Sequence, residues 1–442
     1  MTQTLARYER YLSDLRGLPP AGPSWLQQTR SGAVERFSEL GFPTARRGNE
    51  KWKYTNGGPI ANTPFVYPFE ASANGLAPAD IQRVVPWDDA WTNLVFLDGR
   101  YSELLSSPRS ADGIAVMSLG EAIASGDPDV ERHLAKYADF DDDGFTALNT
   151  AFVADGAFIR VPDGASVDTP IHLVFLSTDR GEPTASHPRV LVVAGAGSKS
   201  TIIESYVGLQ SNRYFTNAVA ETVLLEGSQI DHYRLLLESD DAYHVGTARV
   251  RQCADSTFTS RTFEKSVGLG RYDLSVLMDG PNASCNLSGL YMTSGTQHVD
   301  NFITVDHAKP YSTSRLLYKG ILAGKSRAVF GGTVWVRKGA IKTDSMQSDK
   351  NLVLSPDAEV DSKPALFIYA DDVKCGHGAT AGNIDKNSVF YLLSRGIDLE
   401  TASRMLIYGF ASEIIDLVRV DSLRDQLERL FLESLPSFKF EF

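Results

Sequence analysis

A chain of 442 residues with 43% hydrophobic and 22% charged side chains is too long for a single hydrophobic core and too apolar to remain disordered, so two or three packed regions are expected. Its formal net charge of −12 argues against nucleic acid and anionic lipid as partners, because both call for clustered Lys and Arg. The amino terminus is charged throughout, no stretch approaches the ~20 apolar residues of a membrane span, and Cys253, Cys285 and Cys375 are odd in number and far apart. A disulfide framework is therefore not expected; a reducing compartment, the cytoplasm or an organelle matrix, is.

Residues 1–16 and 25–40 place apolar side chains at helical spacing, with Ser24 positioned to cap the second helix and Pro19, Pro20 and Pro23 between them. GNEKWKYTN at 48–56 breaks that pattern, and 129–138 reads as a further helix. The spacing predicts a mainly helical region over 1–150.

From 151 to 383 the period changes to two. STIIESYV at 200–207, QIDHYRLLLE at 229–238, HVGTARVRQ at 244–252 and STFTSRTFE at 256–264 alternate polar and apolar residues between Gly, Asn, Asp and Ser punctuation. No amphipathic helix interrupts the run, which excludes βαβ architecture and leaves a sandwich, a barrel or a β-solenoid. A parallel β-helix suits the length best, because each coil stacks only on its neighbours. At roughly 20–25 residues per coil, about ten coils spaced ~4.8 Å apart would build a rod of ~50 Å.

Over 384–442 helical spacing returns. Asp385 can cap KNSVFYLLSR, Gly396 can end it, and Asp398 can cap the next helix with Glu400 in its first turn. That helix carries Met405, Leu406, Ile407, Tyr408, Phe410, Ile414, Ile415, Leu417 and Val418 on more than one face, whereas packing on one core needs a single stripe. A last helix starts near Ser422 and presents Leu423, Leu427, Leu430 and Phe431.

Most motifs that could carry chemistry have plain structural readings. Gly320-Ile-Leu-Ala-Gly324-Lys325-Ser326 has Lys319 where a phosphate-binding loop needs glycine, and strand-like RAVFGGTVWV follows instead of a helix. Gly195-Ala-Gly197 reads as a turn between strands. None of the eight histidines falls in a self-contained zinc pattern, no nucleophile elbow occurs, and Cys253 and Cys285 read as inert strand residues. DDVKCGHGAT at 371–380 stands apart. In an extended segment Cys375 and His377 point to one side, and a thiolate with an imidazole suits iron, zinc or copper. If the pair binds an iron–sulfur cluster, which normally takes four donors, the others must come from a second chain; the plain alternative is a buried thiol beside a structural histidine.

The stretch MQSDKNLVLSPDAEVDSKPALFIYADDVKCGHGATAGNIDKNSVFYLLSRGIDLETASRMLIYGF at 346–410 strongly resembles the SufB/SufD family of iron–sulfur cluster assembly proteins. The Cys-x-His-Gly-Ala-Thr form at 375–380 resembles its SufD branch. Glu50-Lys-Trp-Lys-Tyr-Thr55, Tyr318-Lys-Gly-Ile-Leu322 and Lys342-Thr-Asp344 agree with it. The resemblance departs at Gly376, where a small hydroxyl residue is common, and at Phe367, where an acidic one is frequent. It implies a right-handed parallel β-helix flanked by helical regions, and a non-catalytic scaffold subunit paired with a SufB-like paralogue and the ABC-type ATPase SufC. Cys375 and His377 would then form half of a nascent-cluster site at the SufB contact, with no cofactor held stably by this chain alone. The resemblance puts the SufC-docking face within 386–418, with Arg395, Met405, Tyr408 and Phe410 as candidate contacts. Whether a flavin binds is left open. The alternatives are a SufB-like homodimeric cluster carrier and a β-helix carbohydrate-active enzyme, the latter needing clustered carboxylates in a surface groove.

Overall fold

The computed structural model describes residues 2–18, 22–43, 45, 49–70, 75–107 and 114–435; Pro19, Pro20 and Gly48, invoked above, lie outside them. The amino-terminal part begins with helices α1 (Thr2–Gly17), α2 (Ser24–Leu40), α3 (Gly58–Asn62) and α4 (Pro78–Gln82). Strands β1 (Thr92–Leu97), β2 (Arg100–Tyr101) and β3 (Ala115–Ser118) follow, then helices α5 (Leu119–Ser125), α6 (Pro128–His133) and α7 (Gly144–Phe152). A long run of strands comes next: β4 (Gly156–Val161), β5 (Ile171–Ser177), β6 (Thr184–Ser186), β7 (Arg189–Ala194), β8 (Lys199–Gly208), β9 (Tyr214–Leu224), β10 (Gln229–Leu237) and β11 (Tyr243–Gln252). It continues with β12 (Thr257–Ser266), β13 (Leu269–Met278), β14 (Ser284–Thr293), β15 (His298–His307), β16 (Thr313–Leu322) and β17 (Arg327–Val336). The last strands are β18 (Asp344–Val353), β19 (Glu359–Ile368) and β20 (Lys374–Gly382), before helices α8 (Lys386–Ser394), α9 (Leu399–Ile415) and α10 (Asp421–Ser434).

From β7 onward successive strands alternate between two sheets. One runs β1-β5-β8-β10-β12-β14-β16-β18-β20 and the other β4-β7-β9-β11-β13-β15-β17-β19, all parallel. The protein is thus a mainly β, parallel β-solenoid of about eight turns flanked by helices at both ends. Register partners Ile230, Phe258, Cys285, Ser314, Ser345 and Cys375 lie 28, 27, 29, 31 and 30 positions apart. Each turn therefore takes more chain than the 20–25 residues expected, because it spends about ten residues in each of two strands, and fewer turns fit.

The two ends of the solenoid differ. At the start both sheets finish on antiparallel partners, β2 beside β1 and β3 beside β4. At the far end β19 and β20 are edge strands with no further neighbour among the described residues. The outer face of the first sheet is covered by the carboxy-terminal helices: Ile407, Ala411, Ile414, Leu423, Leu427 and Phe431 join Ile203, Tyr233, Phe263, Leu290 and Ile321 in one buried cluster.

Two aspartate caps and one glycine stop are where the sequence put them. Asp385 accepts from the backbone N–H groups of Asn387 and Ser388, Asp398 accepts from that of Thr401, and Gly396 follows α8 at φ 84°. Ser24 does not cap α2; Pro23 occupies that position and offers no side-chain acceptor. Likewise α10 begins at Asp421 after Val420. The helix expected over 129–138 stops at His133. The buried carboxylate of Glu221 accepts the backbone N–H groups of Ala135, Lys136, Tyr137 and Ala138 at 2.7–3.0 Å, so these donors cannot serve a helix, and Ala135 takes a positive φ of 58°. Sheet structure also begins before 151, since β1 already pairs with β5. Its sequence TNLVFL is buried on both faces and lacks the alternation that marks a half-exposed strand.

The segment 50–55 acts as a buckle across the outer face of the second sheet. Trp52 is buried under the Arg271 guanidinium, 4.2 Å from its ring centroid. Lys51 pairs with Asp273 at 2.7 Å, Thr55 bonds His298 and Asp300, and Glu50 reaches Lys363 at 2.9 Å on β19. Residues that merely interrupted a helical pattern thus tie the amino-terminal helices to four successive turns, on β13, β15, β17 and β19, through Lys51, Thr55, the Tyr54 ring facing Arg327, and Glu50.

Candidate functional site

The site follows from strand parity. On β18, Ser345, Gln347 and Asp349 are buried and the residues between them are more exposed. Register places Cys375 beside Ser345 and His377 beside Gln347, so in a strand of period two both side chains face the solenoid interior. Cys375 packs with Leu366, Val373, Val334 and Val336. Because β20 has no outer neighbour among the described residues, this inward face is open at the end of the rod, and His377 is exposed.

Partners separate the histidines. His133 bonds Tyr137, His172 bonds Asn93 and Ser205, His187 bonds Asn217, and His232 bonds Ser260. His244 lies between Glu238 and Arg234, His298 bonds Thr55, and His307 bonds Ser312 and Ser314. His377, the remaining one of eight, makes no hydrogen bond or ion pair with another described residue. Burial pushes the Cys375 thiol above its ordinary value, the Asp344 carboxylate adds to that, and a hydrogen bond with the Ser345 backbone opposes it. The resting group is therefore a thiol, and a metal or another cation is needed to favour the thiolate that binds metals. Among the described residues no group of three or more His, Cys, Asp or Glu side chains that could hold a metal ion occurs. Cys285 is buried with its pKa pushed far up, whereas Cys253 sits in the turn after β11 instead of in a strand.

The outer faces of the sheets near this end carry large apolar side chains. Phe367 stacks on Trp335 at 4.2 Å, and Phe367, Ile368, Tyr369 and Met346 are exposed. Gly376 stands against Met346, whose thioether lies 3.1 Å from where a Cβ would be, so a hydroxyl-bearing side chain there would displace it.

A second exposed surface lies on α8 and α9. Of the four residues singled out there, Met405 and Arg395 are exposed, with Arg395 lying 5.1 Å over the Tyr391 ring. Tyr408 donates to Glu428 on α10, and Phe410 lies under Lys319 of β16. These two therefore also hold the helices in place. Sequence reasoning passed over Phe390 and Tyr391, at 69% and 56% exposure the most open aromatic pair on α8. Their signal was two consecutive aromatics beside Val389, the one residue of that helix that is buried.

Fold and open edge together define a class: a parallel β-solenoid, flanked by helices, with Cys375 and His377 side by side on its last strand. Residues 175–410 match the family profile described as SUF system FeS cluster assembly, SufBD core domain, and residues 11–173 match the SufBD protein N-terminal region. The chain belongs to the SufB/SufD family. It is 31% identical to the iron–sulfur cluster assembly protein SufD of Escherichia coli over 91% of this chain and 92% of that one. It is 26% identical to the SufD protein of Bacillus subtilis over 92% and 93%. Protein ABCI7, chloroplastic, of Arabidopsis thaliana is 32% identical over 94% of this chain and 87% of its own length. No helix among the described residues is long and apolar enough to cross a membrane.

Proposed function

We propose that this chain is a SufD-type scaffold subunit of a cytoplasmic SufB–SufC–SufD complex for iron–sulfur cluster assembly. The observation that carries the reading is the terminal turn, where Cys375 and His377 share the inward face of an edge strand that has no further neighbour among the described residues. An uncapped parallel edge of this length is a template for another chain's strands. A SufB-like paralogue docked end to end would satisfy its backbone groups and supply the missing donors to the nascent cluster, which is cargo of the complex. No cofactor is held stably by this chain alone. The exposed face of α8 and α9, with Arg395 and Met405 at its surface and Tyr408 and Phe410 behind, would receive the SufC ATPase, and nucleotide hydrolysis belongs to that partner.

Co-expression with the same organism's SufB-like and SufC-like proteins tests this. The three should co-purify, and His377→Ala should leave the assembly intact while lowering cluster yield by about tenfold or more, the loss typical of a removed metal ligand or its support. Normal cluster maturation by that variant would refute the half-site. The same edge also fits a second copy of this chain; a stable cluster in the protein purified alone would favour a homodimeric carrier.

A further inference from the structure

Lys319 is 3% exposed, in a seam between α9 and the first sheet otherwise lined by Leu290, Ile321, Ile407, Ala411 and Ile414. A buried cation there is costly, and an apolar side chain of the same length would fill the space. Its ammonium donates to the carbonyl oxygen of Phe410 at 2.7 Å, lies 4.2 Å from the Phe410 ring centroid and pairs with Glu413. The other carboxylate oxygen of Glu413 lies 3.7 Å from Lys350. Register aligns Lys319 of β16 with Lys350 of β18, and Lys350 with Thr380 of β20. One helix is thereby clamped to two consecutive strands, and the second is hydrogen-bonded to the strand bearing Cys375 and His377.

We propose that Lys319, with Glu413 and Lys350, is a positioning residue that couples α9 to the open turn, so that occupation of the α8–α9 face moves the strand carrying Cys375 and His377. The apolar contacts around it resist separation but have no fixed partner along the seam, whereas the clamp fixes both the height and the rotation of α9. This inference rests on the proposed docking of an ATPase at that face.

The test uses the full chain, the same organism's SufC-type ATPase as probe, and the rate of Cys375 alkylation by N-ethylmaleimide read by peptide mass spectrometry. Buried Cys285 serves as internal reference. Adding the ATPase to the wild type should change the Cys375 rate by about fivefold or more, the lower range of ordinary coupling between sites. Lys319→Met removes the cation while leaving Glu413 in water, so no buried charge is orphaned; Lys350→Met, at a more exposed position, is the second variant should the first fold poorly. Both should bind the ATPase as the wild type does, with the rate change reduced to about 1.5-fold or less. An undiminished change in a variant that binds normally overturns the coupling and leaves the docking reading standing. A wild type that binds with no change at Cys375 overturns the coupling too, and a wild type that does not bind overturns the docking reading and this inference with it.

Discussion

At the scale of single residues, burial sets how this protein answers to acid. His172 and His187 are held down to about 3, and His244 and His307 to about 4, each chiefly because burial penalises the charged ring. An unfolded histidine titrates near about 6.5. Between these values the unfolded chain takes up protons that the folded chain refuses, so stability falls as pH drops from about 6.5 towards 4, by about 1.4 kcal/mol per histidine per pH unit. The buried carboxylates Glu204, Glu221 and Asp273, held below their usual range by cations and donors, push in the same direction at lower pH. Urea midpoints measured from about pH 7.5 down to 5 should shift steadily downward; a flat profile would mean that these rings are not buried neutral. Of this pattern the sequence showed the histidines but not their partners, since Ser205 lies 33 residues from His172 and Glu221 lies 86 from Ala135.

Elements of the solenoid interlock by size. Gly289 on β14 faces Tyr318 on β16, and Tyr291 on β14 faces Gly320 on β16; a Cβ at either glycine would stand 2.3 or 2.2 Å from the opposing ring. The two strands thus exchange a large and a small side chain across one layer of the interior. Gly289→Ala and Gly320→Ala should each cost about 1–3 kcal/mol by overpacking, seen as a lower unfolding midpoint. Gly378→Ala on β20, where a Cβ meets nothing within 4 Å, should stay within about 0.5 kcal/mol of wild type. Equal losses at all three positions would show that backbone flexibility, and not the facing rings, governs these sites. The strands themselves and the two aspartate caps were legible, because period two and an Asx cap are properties of a few adjacent residues. The 129–138 helix was misread because Glu221 captures its donors from another turn.

The solenoid is asymmetric along its axis, closed by antiparallel strands at one end and, among the described residues, without a further strand at the other. A long unpaired edge flanked by exposed apolar side chains such as Phe367 and Met346 is a liability unless something covers it. The chain purified alone should therefore self-associate as concentration rises, and Phe367→Lys, placing a charge on the Trp335–Phe367 stack, should shift the sedimentation distribution to monomer. A wild type that stays monomeric at high concentration would remove the open end as an association surface.

By itself the sequence determined the mainly β solenoid, the flanking helices, the helix caps of the carboxy-terminal region and the shared face of Cys375 and His377. Each of these is written in a local period or in a motif. Tertiary structure alone decided that His377 is the histidine left without a partner among the described residues, that the buckle at 50–55 spans four turns, and that Lys319 grips α9 from beneath. The reason is distance along the chain: in a solenoid every residue meets its neighbours about thirty positions away, and no rule of local spacing reaches so far.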